Sequence, residues 1–194
     1  MGRRFPRRPI PKDQQKTGIV KTITVSETVR WGQDRIHGRL LHYLIRTQKP
    51  GKALELGSCV GISGSYIASA LAANGQGHLW TIEGSPGIAK LTKQTFERLS
   101  LQQWATSVVG PFSRTLQPTL KNGPFGFAFI DGHHDGDATI DYFNQIKPTL
   151  TKNAVVMFDD IDLYTDMARA WSEIQRDPGF KTRIVSRFGV ALAR

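Results

Sequence analysis

Residues 52–63 read Lys52-Ala53-Leu54-Glu55-Leu56-Gly57-Ser58-Cys59-Val60-Gly61-Ile62-Ser63. The first five have the pattern of a buried strand, and the glycines at 57 and 61 let the backbone turn tightly into a helix from Ile62 to Ala73. Asn74-Gly75 signals the end of that helix, and His78 to Glu83 follows as a second strand. Strand, glycine-rich turn, helix and strand make the parallel unit of an α/β sheet. Glu55 breaks the pattern, because an acid stands where the strand should be apolar, and a cation near the loop would explain it. The loop is not the dinucleotide fingerprint. After Gly57 that fingerprint needs glycine at 59 and 62, where this chain has Cys59 and Ile62, so a nicotinamide enzyme is disfavoured.

The alternation continues on both sides. Upstream, Ser26 caps a helix running to about Gln48, with Ile36, Leu40 and Leu44 on one face, stopped by Pro50-Gly51. Downstream, Ser85-Pro86 opens a helix with Ile88, Leu91, Thr95 and Leu99 on one stripe. Ala105 to Val109 is a short third strand. Phe125 to Ile130 is apolar on both faces, as a central parallel strand should be. A helix follows from about Asp137 to Ile146, then a fifth strand from Ala154 to Phe158. Leu163, Met167, Ala170, Trp171 and Ile174 share one face of a further helix. Arg183 to Ser186 and Gly189 to Ala193 close the chain as an antiparallel hairpin at the sheet edge. The pattern predicts a mostly parallel, seven-stranded α/β sheet with helices on both faces.

The 194 residues carry 26 Lys and Arg against 16 Asp and Glu, a net charge of +10, and one cysteine. A single cysteine excludes a disulfide framework and any zinc site of several cysteines. The longest apolar run, Ala154 to Phe158, is far short of the roughly 20 residues that span a bilayer. The basic excess invites a nucleic-acid reading, but its location changes that. Residues 1–21 alone hold seven basic groups and Asp13, a net +6, with Pro6, Pro9 and Pro11 and little that is apolar. They are expected to form a flexible basic arm (residues 1–21) ahead of one domain (residues 22–194). No apolar core of a secretory signal is present in the arm, so a cytoplasmic protein is expected.

Ligands of such sheets bind beyond the carboxyl ends of the strands. There the chain places Glu83, whose carboxylate can accept hydrogen bonds from both hydroxyls of a ribose, so a nucleoside-containing cofactor is expected. The fourth strand ends in Asp131-Gly132-His133-His134 and the fifth in Asp159-Asp160. Three acids in one cleft repel, and a divalent cation such as Mg²⁺ would relieve them; Asp131, Asp159 and Asp160 are the expected metal ligands. The alternative is that Asp160 or Asp162 caps the next helix. Cys59 reads as a small packing residue of the loop. Trp31 and Phe112 could wall an acceptor pocket.

Four motifs carry a resemblance: Glu55-x-Gly57-x-x-x-Gly61-x-Ser63, Glu83, Asp131-Gly132-x-His134 and Phe158-Asp159-Asp160. Over residues 26–194, closing segment Phe188-Gly189-Val190 included, the chain resembles class I S-adenosylmethionine-dependent methyltransferases, in their small O-methyltransferase-like branch. The resemblance implies a Rossmann-like methyltransferase fold and S-adenosylmethionine as cofactor. It implies that Glu55, Gly57, Ser58, Gly61 and Ser63 hold the methionine part, that Glu83 grips the ribose and that Asp131 also lines the cofactor site. Acids matching Asp131, Asp159 and Asp160 often bind a divalent metal in this branch. The chain departs from the pattern with Asp160 in place of asparagine, Gly136 in place of tyrosine, and Gly110-Pro111-Phe112 without an acid for the adenine. The expected reaction is methylation of a hydroxyl on a small molecule, with Asp131 and His134 catalytic and His134 the general base. His133 reads as a supporting or exposed residue. The alternatives are a methyltransferase acting on nucleic acid or protein through the basic arm, and a binding module without turnover. No membrane partner is expected, and a homodimer is compatible with the sequence.

Overall fold

A computed structural model of the protein describes residues 35–194; the basic arm, Ser26 and Trp31 lie outside them. The elements are α1 (Arg35–Gln48), β1 (Lys52–Leu56), α2 (Ile62–Asn74), β2 (His78–Glu83), α3 (Pro86–Arg98), β3 (Ala105–Val109), α4 (Phe112–Leu120), β4 (Phe125–Ile130), α5 (Gly136–Ile146), a 3-10 turn (Lys147–Thr149), β5 (Leu150–Phe158), α6 (Thr165–Ile174), β6 (Phe180–Val185) and β7 (Phe188–Ala193). One seven-stranded sheet runs in the order β3-β2-β1-β4-β5-β7-β6. β1 to β5 pair in parallel, and β7 joins β5 antiparallel, followed by β6. The predicted architecture is the one observed. Among the described residues no helix is long and apolar enough to cross a membrane.

Alternation along the strands feeds two cores. Leu54, Leu56, Ala128, Ile130, Val156 and Phe158 face α4, α5 and α6, where Leu116, Phe143 and Trp171 pack. Ala53, Phe127, Phe129, Val155 and Met157 face the other way, onto Leu41, Ile45, Ile67, Leu71 and Phe96 of α1, α2 and α3. β4, apolar on both faces, contributes to both cores, as β1 and β5 beside it do.

Two helix faces differ from those predicted. On α1 the fully buried side chains are Leu41 and Ile45; Leu40 and Leu44 of the predicted stripe are partly buried against the same core, whereas Ile36 is 75% exposed. On α3 they are Ala89, Thr92 and Phe96, while Leu91 and Leu99 are exposed. In both helices an equally good 3–4 spacing exists one residue away, and what faces the helix decides between them. The sheet surface under α3 takes the larger Phe96 ring and a threonine that serves the glycine loop. α4 is not among the elements expected above. Pro111 is its N-cap and Pro118 lies in its last turn, and Phe112, Leu116 and Leu120 make its buried stripe. β5 starts at Leu150, four residues earlier than predicted, with Asn153 at φ 61° beside a register shift in its pairing with β4.

These packing assignments have a direct consequence for stability. Phe96→Ala should cost about 3–5 kcal/mol through the cavity it leaves, and Leu99→Ala should stay within about 0.5 kcal/mol. Urea denaturation of the two variants checks this, and the reverse order would restore the stripe expected from spacing.

Candidate active site

The strand order reverses between β1 and β4, where β2 lies on one side and β5 on the other, and the candidate residues converge there. Gly57 leaves β1 at φ +94°, and its N–H continues the ladder to Ile82 O at 3.0 Å. A Cβ at this position would land on the carbonyl of Asp131. Gly61 (φ +85°) is the N-cap of α2, and its N–H closes the loop onto Ser58 O at 2.7 Å. The first N–H groups of α2 have no partner inside the helix and point at the loop.

Side chains from α3 hold the loop in shape. Thr92 Oγ1 donates to Cys59 O at 2.6 Å and lies 3.1 Å from Ser58 Oγ. Thr95 Oγ1 donates to Val60 O at 2.9 Å. Glu83 braces the loop from β2: its Oε2 accepts the Cys59 N–H at 3.0 Å and its Oε1 the Ser85 N–H at 2.9 Å. Burial raises the Glu83 pKa, and the N–H groups of Ser85, Cys59 and Gly84 offset part of the shift. A carboxylate has about four acceptor sites, so these N–H groups do not use all of them. Cys59 is held as a thiol by burial and by the acids around it.

Glu55 is completely buried. Its Oε2 accepts Thr81 Oγ1–H at 2.5 Å, and its Oε1 is buried without a hydrogen-bond partner. Burial pushes its pKa from 4.5 up to about 7, against the lowering effects of the Ser63 and Thr81 hydroxyls. Gly64 is small because a Cβ there would stand 2.8 Å from Glu55 Oε2.

Beyond β4, Asp131 N–H bonds Leu56 O at 2.9 Å, which places its side chain beside the Gly57 turn. His134 Nε2 lies 3.8 Å from Asp131 Oδ1. The neighbouring His133 turns elsewhere, with Nδ1 2.6 Å from Tyr142 Oη and its ring edge-on to Phe112. Asp135, not foreseen as a cap, accepts the Ala138 N–H at the start of α5. α6 starts only at Tyr164, so neither Asp160 nor Asp162 caps it.

Asp159 and Asp160 are buried, and among the described residues Arg187, which the sequence reading did not include, answers their charge. Its Nη2 donates to Asp159 Oδ2 and its Nη1 lies 3.5 Å from Asp160 Oδ1. The expected metal set therefore does not assemble as expected. Among the described residues no group of three or more His, Cys, Asp or Glu is placed to hold a metal ion, and Asp159 and Asp160 face a guanidinium. A divalent ion does not fit this donor set, and no step below uses one. An S-adenosylmethionine fit is different. The orphaned, buried Glu55 Oε1 lies under a glycine loop with open helix N–H groups, beside a carboxylate that has acceptor sites to spare.

Residues 54–161, more than half of the chain, match the family described as "Methyltransferase domain". The chain belongs to that methyltransferase family. The expected membership in the class I methyltransferases is thereby met. No curated protein matches it. Among solved structures, the methyltransferase is similar to an O-methyltransferase from Bacillus cereus in complex with SAH (22% identity, covering 95% of this chain and 93% of that one, TM-score 0.73). It is also similar to the O-methyltransferase TomG from Streptomyces achromogenes in complex with SAM (22%, 84% and 82%, TM-score 0.72). A third likeness is to a SAH-bound methyltransferase from Podospora anserina (20%, 85% and 80%, TM-score 0.73). At these identities the likeness is one of fold.

The raised Glu55 pKa gives the methyltransferase a pH signature. Between pH 4.5 and about 7 the folded state keeps the Glu55 proton that the unfolded chain has released, so stability falls as pH rises through that window. At 1.36 kcal/mol per unit this amounts to about 3 kcal/mol. Glu55→Gln should be more stable than the parent by that amount at pH 8, and equal to it near pH 4.5. Thermal melts across the range decide it, and parallel curves would refute the assignment.

Proposed function

We propose that the protein transfers the methyl group of S-adenosylmethionine to a hydroxyl oxygen of a small molecule. The observation that carries this reading is the buried, unpartnered Glu55 Oε1 beneath the Gly57–Gly61 loop, with Glu83 across the opening. S-adenosylmethionine, when bound, supplies an already reactive methyl on a sulfonium, so the protein's task is alignment and proton removal. Glu55, Gly57, Ser58, Gly61 and Ser63 would hold the methionine end, the acid facing its positive charge. Glu83 would take the ribose hydroxyls with the acceptor sites that Cys59 and Ser85 leave open. Asp131, at the crossing of the two halves, lies between cofactor and acceptor.

His134 is the general base of this reading. With Nε2 turned toward Asp131, Nδ1 is the nitrogen left to take the acceptor's proton, and the Asp131 carboxylate stabilises the imidazolium that results. The spacing of 3.8 Å is longer than a hydrogen bond, and such pairs tighten when the complex forms. His133, committed to Tyr142, takes no part. Residues 1–21 form an appended arm in this proposal, and residues 22–194 the catalytic domain.

Calorimetry with S-adenosylmethionine and S-adenosylhomocysteine tests the central claim. Saturable binding is expected. Glu83→Ala should weaken it about 10- to 100-fold, the loss of charge-assisted hydrogen bonds, and deletion of residues 1–21 should leave it unchanged. Absence of binding to both ligands would sink the reading. If deletion abolished binding, the domain boundary would have to move.

A further inference from the structure

Two consecutive buried carboxylates need a compensating cation. A hard divalent ion would draw their oxygens to about 2.0–2.6 Å around itself. In this protein the oxygens are already engaged. Asp159 Oδ2 and Asp160 Oδ1 face the two terminal nitrogens of Arg187, and Asp159 Oδ1 accepts the Asp160 N–H at 2.7 Å. The guanidinium is itself fixed. Its side chain is 15% exposed, it lies 5.6 Å over the Phe188 ring, and its own carbonyl accepts the Ile161 N–H at 3.3 Å.

Topology delivers it there. Ser186 (φ 59°) and Arg187 form the two-residue tip between the paired Val185 and Phe188. β7 runs antiparallel to β5, with Gly189 opposite Phe158, so the hairpin tip arrives where β5 ends in Asp159. A guanidinium stays protonated at any physiological pH, and its planar fork matches carboxylates better than an ammonium does. It is also tethered, and unlike a hydrated ion it cannot dissociate.

We propose that Arg187 is the resident cation of this cleft, a positioning residue that holds Asp159 and Asp160 in place of a divalent metal ion. The site then binds no such ion, and Arg187 keeps the end of β5 in shape beside the proposed active site. That last role rests on the methyl-transfer reading above; the exclusion of metal does not.

Mn²⁺ titrated alone into the full chain, followed by calorimetry and by the electron paramagnetic resonance of the free ion, tests the proposal. The parent protein should show no saturable binding at this site up to millimolar Mn²⁺. Arg187→Ala, which strips the acid pair of its cation, should gain Mn²⁺ affinity at least tenfold, and Arg187→Lys, which keeps the charge, should not. A merely structural arginine would give no such gain. Saturable binding by the parent that Asp160→Asn weakens would overturn the proposal, and this comparison stands even if Arg187→Ala fails to fold. S-adenosylmethionine affinity measured on the same samples separates the two readings. Failure to bind it, with no Mn²⁺ bound, removes the methyl-transfer function and leaves Arg187 as the cation. Binding of both removes only the role of Arg187.

Discussion

The carboxyl end of the sheet depends on how closely β1 and β4 approach one another as they leave it. Gly57 turns back at φ +94° against the carbonyl of Asp131, with no room for a Cβ between them. That contact sets the position of the loop on one side and of Asp131 on the other. The two halves of the sheet diverge from it, and the crevice they leave is where the acids of four strands gather. A side chain at 57 would push the loop away from Asp131 and separate the residues proposed to meet cofactor and acceptor.

Concentrating carboxylates at this point carries an electrostatic cost, and each acid is answered differently. Glu83 is held by two backbone N–H groups. Glu55 accepts the Thr81 hydroxyl on Oε2, the Ser63 hydroxyl also favours its charged form, and burial nevertheless raises its pKa to about 7. Asp159 and Asp160 share a guanidinium. Among the described acids Glu55 has a buried oxygen, Oε1, without a hydrogen-bond partner. In the methyl-transfer reading proposed above, the residue that lowers stability above pH 7 is also the one that would face the cofactor's positive charge, a tension between stability and function.

The strands and most helices were legible because each depends on a local pattern. β4 is apolar on every residue, and a glycine directly follows each of β1, β2 and β3. The face of α1 was legible only in part, with Leu40 and Leu44 against the core and Ile36 exposed, and that of α3 was not. Ile88, Leu91, Thr95 and Leu99 and the buried set Ala89, Thr92 and Phe96 satisfy helical spacing equally well. Hydrophobicity favoured the leucines, but the space available at the sheet favoured the phenylalanine. α4, not among the expected elements, has two prolines at positions a short helix tolerates. Among the candidate site residues, those in the glycine loop and at strand ends were found because an acid or glycine out of pattern is conspicuous. Thr81, Thr92 and Thr95 were missed because a threonine on a buried face looks like packing.

By itself the sequence determined the order of strands and helices, the turn at Gly57 and Gly61, and the presence of acids after four strands. Those features follow from side-chain periodicity and from the backbone freedom of particular residues, which act over a few positions. The partners of the acids were decided only by the tertiary structure. Arg187 lies 28 residues beyond Asp159, in a hairpin tip without any distinguishing pattern, and reaches it because β7 returns antiparallel beside β5. Charge acts through space, so the cation that settles the acid pair could be identified only once the chain was folded.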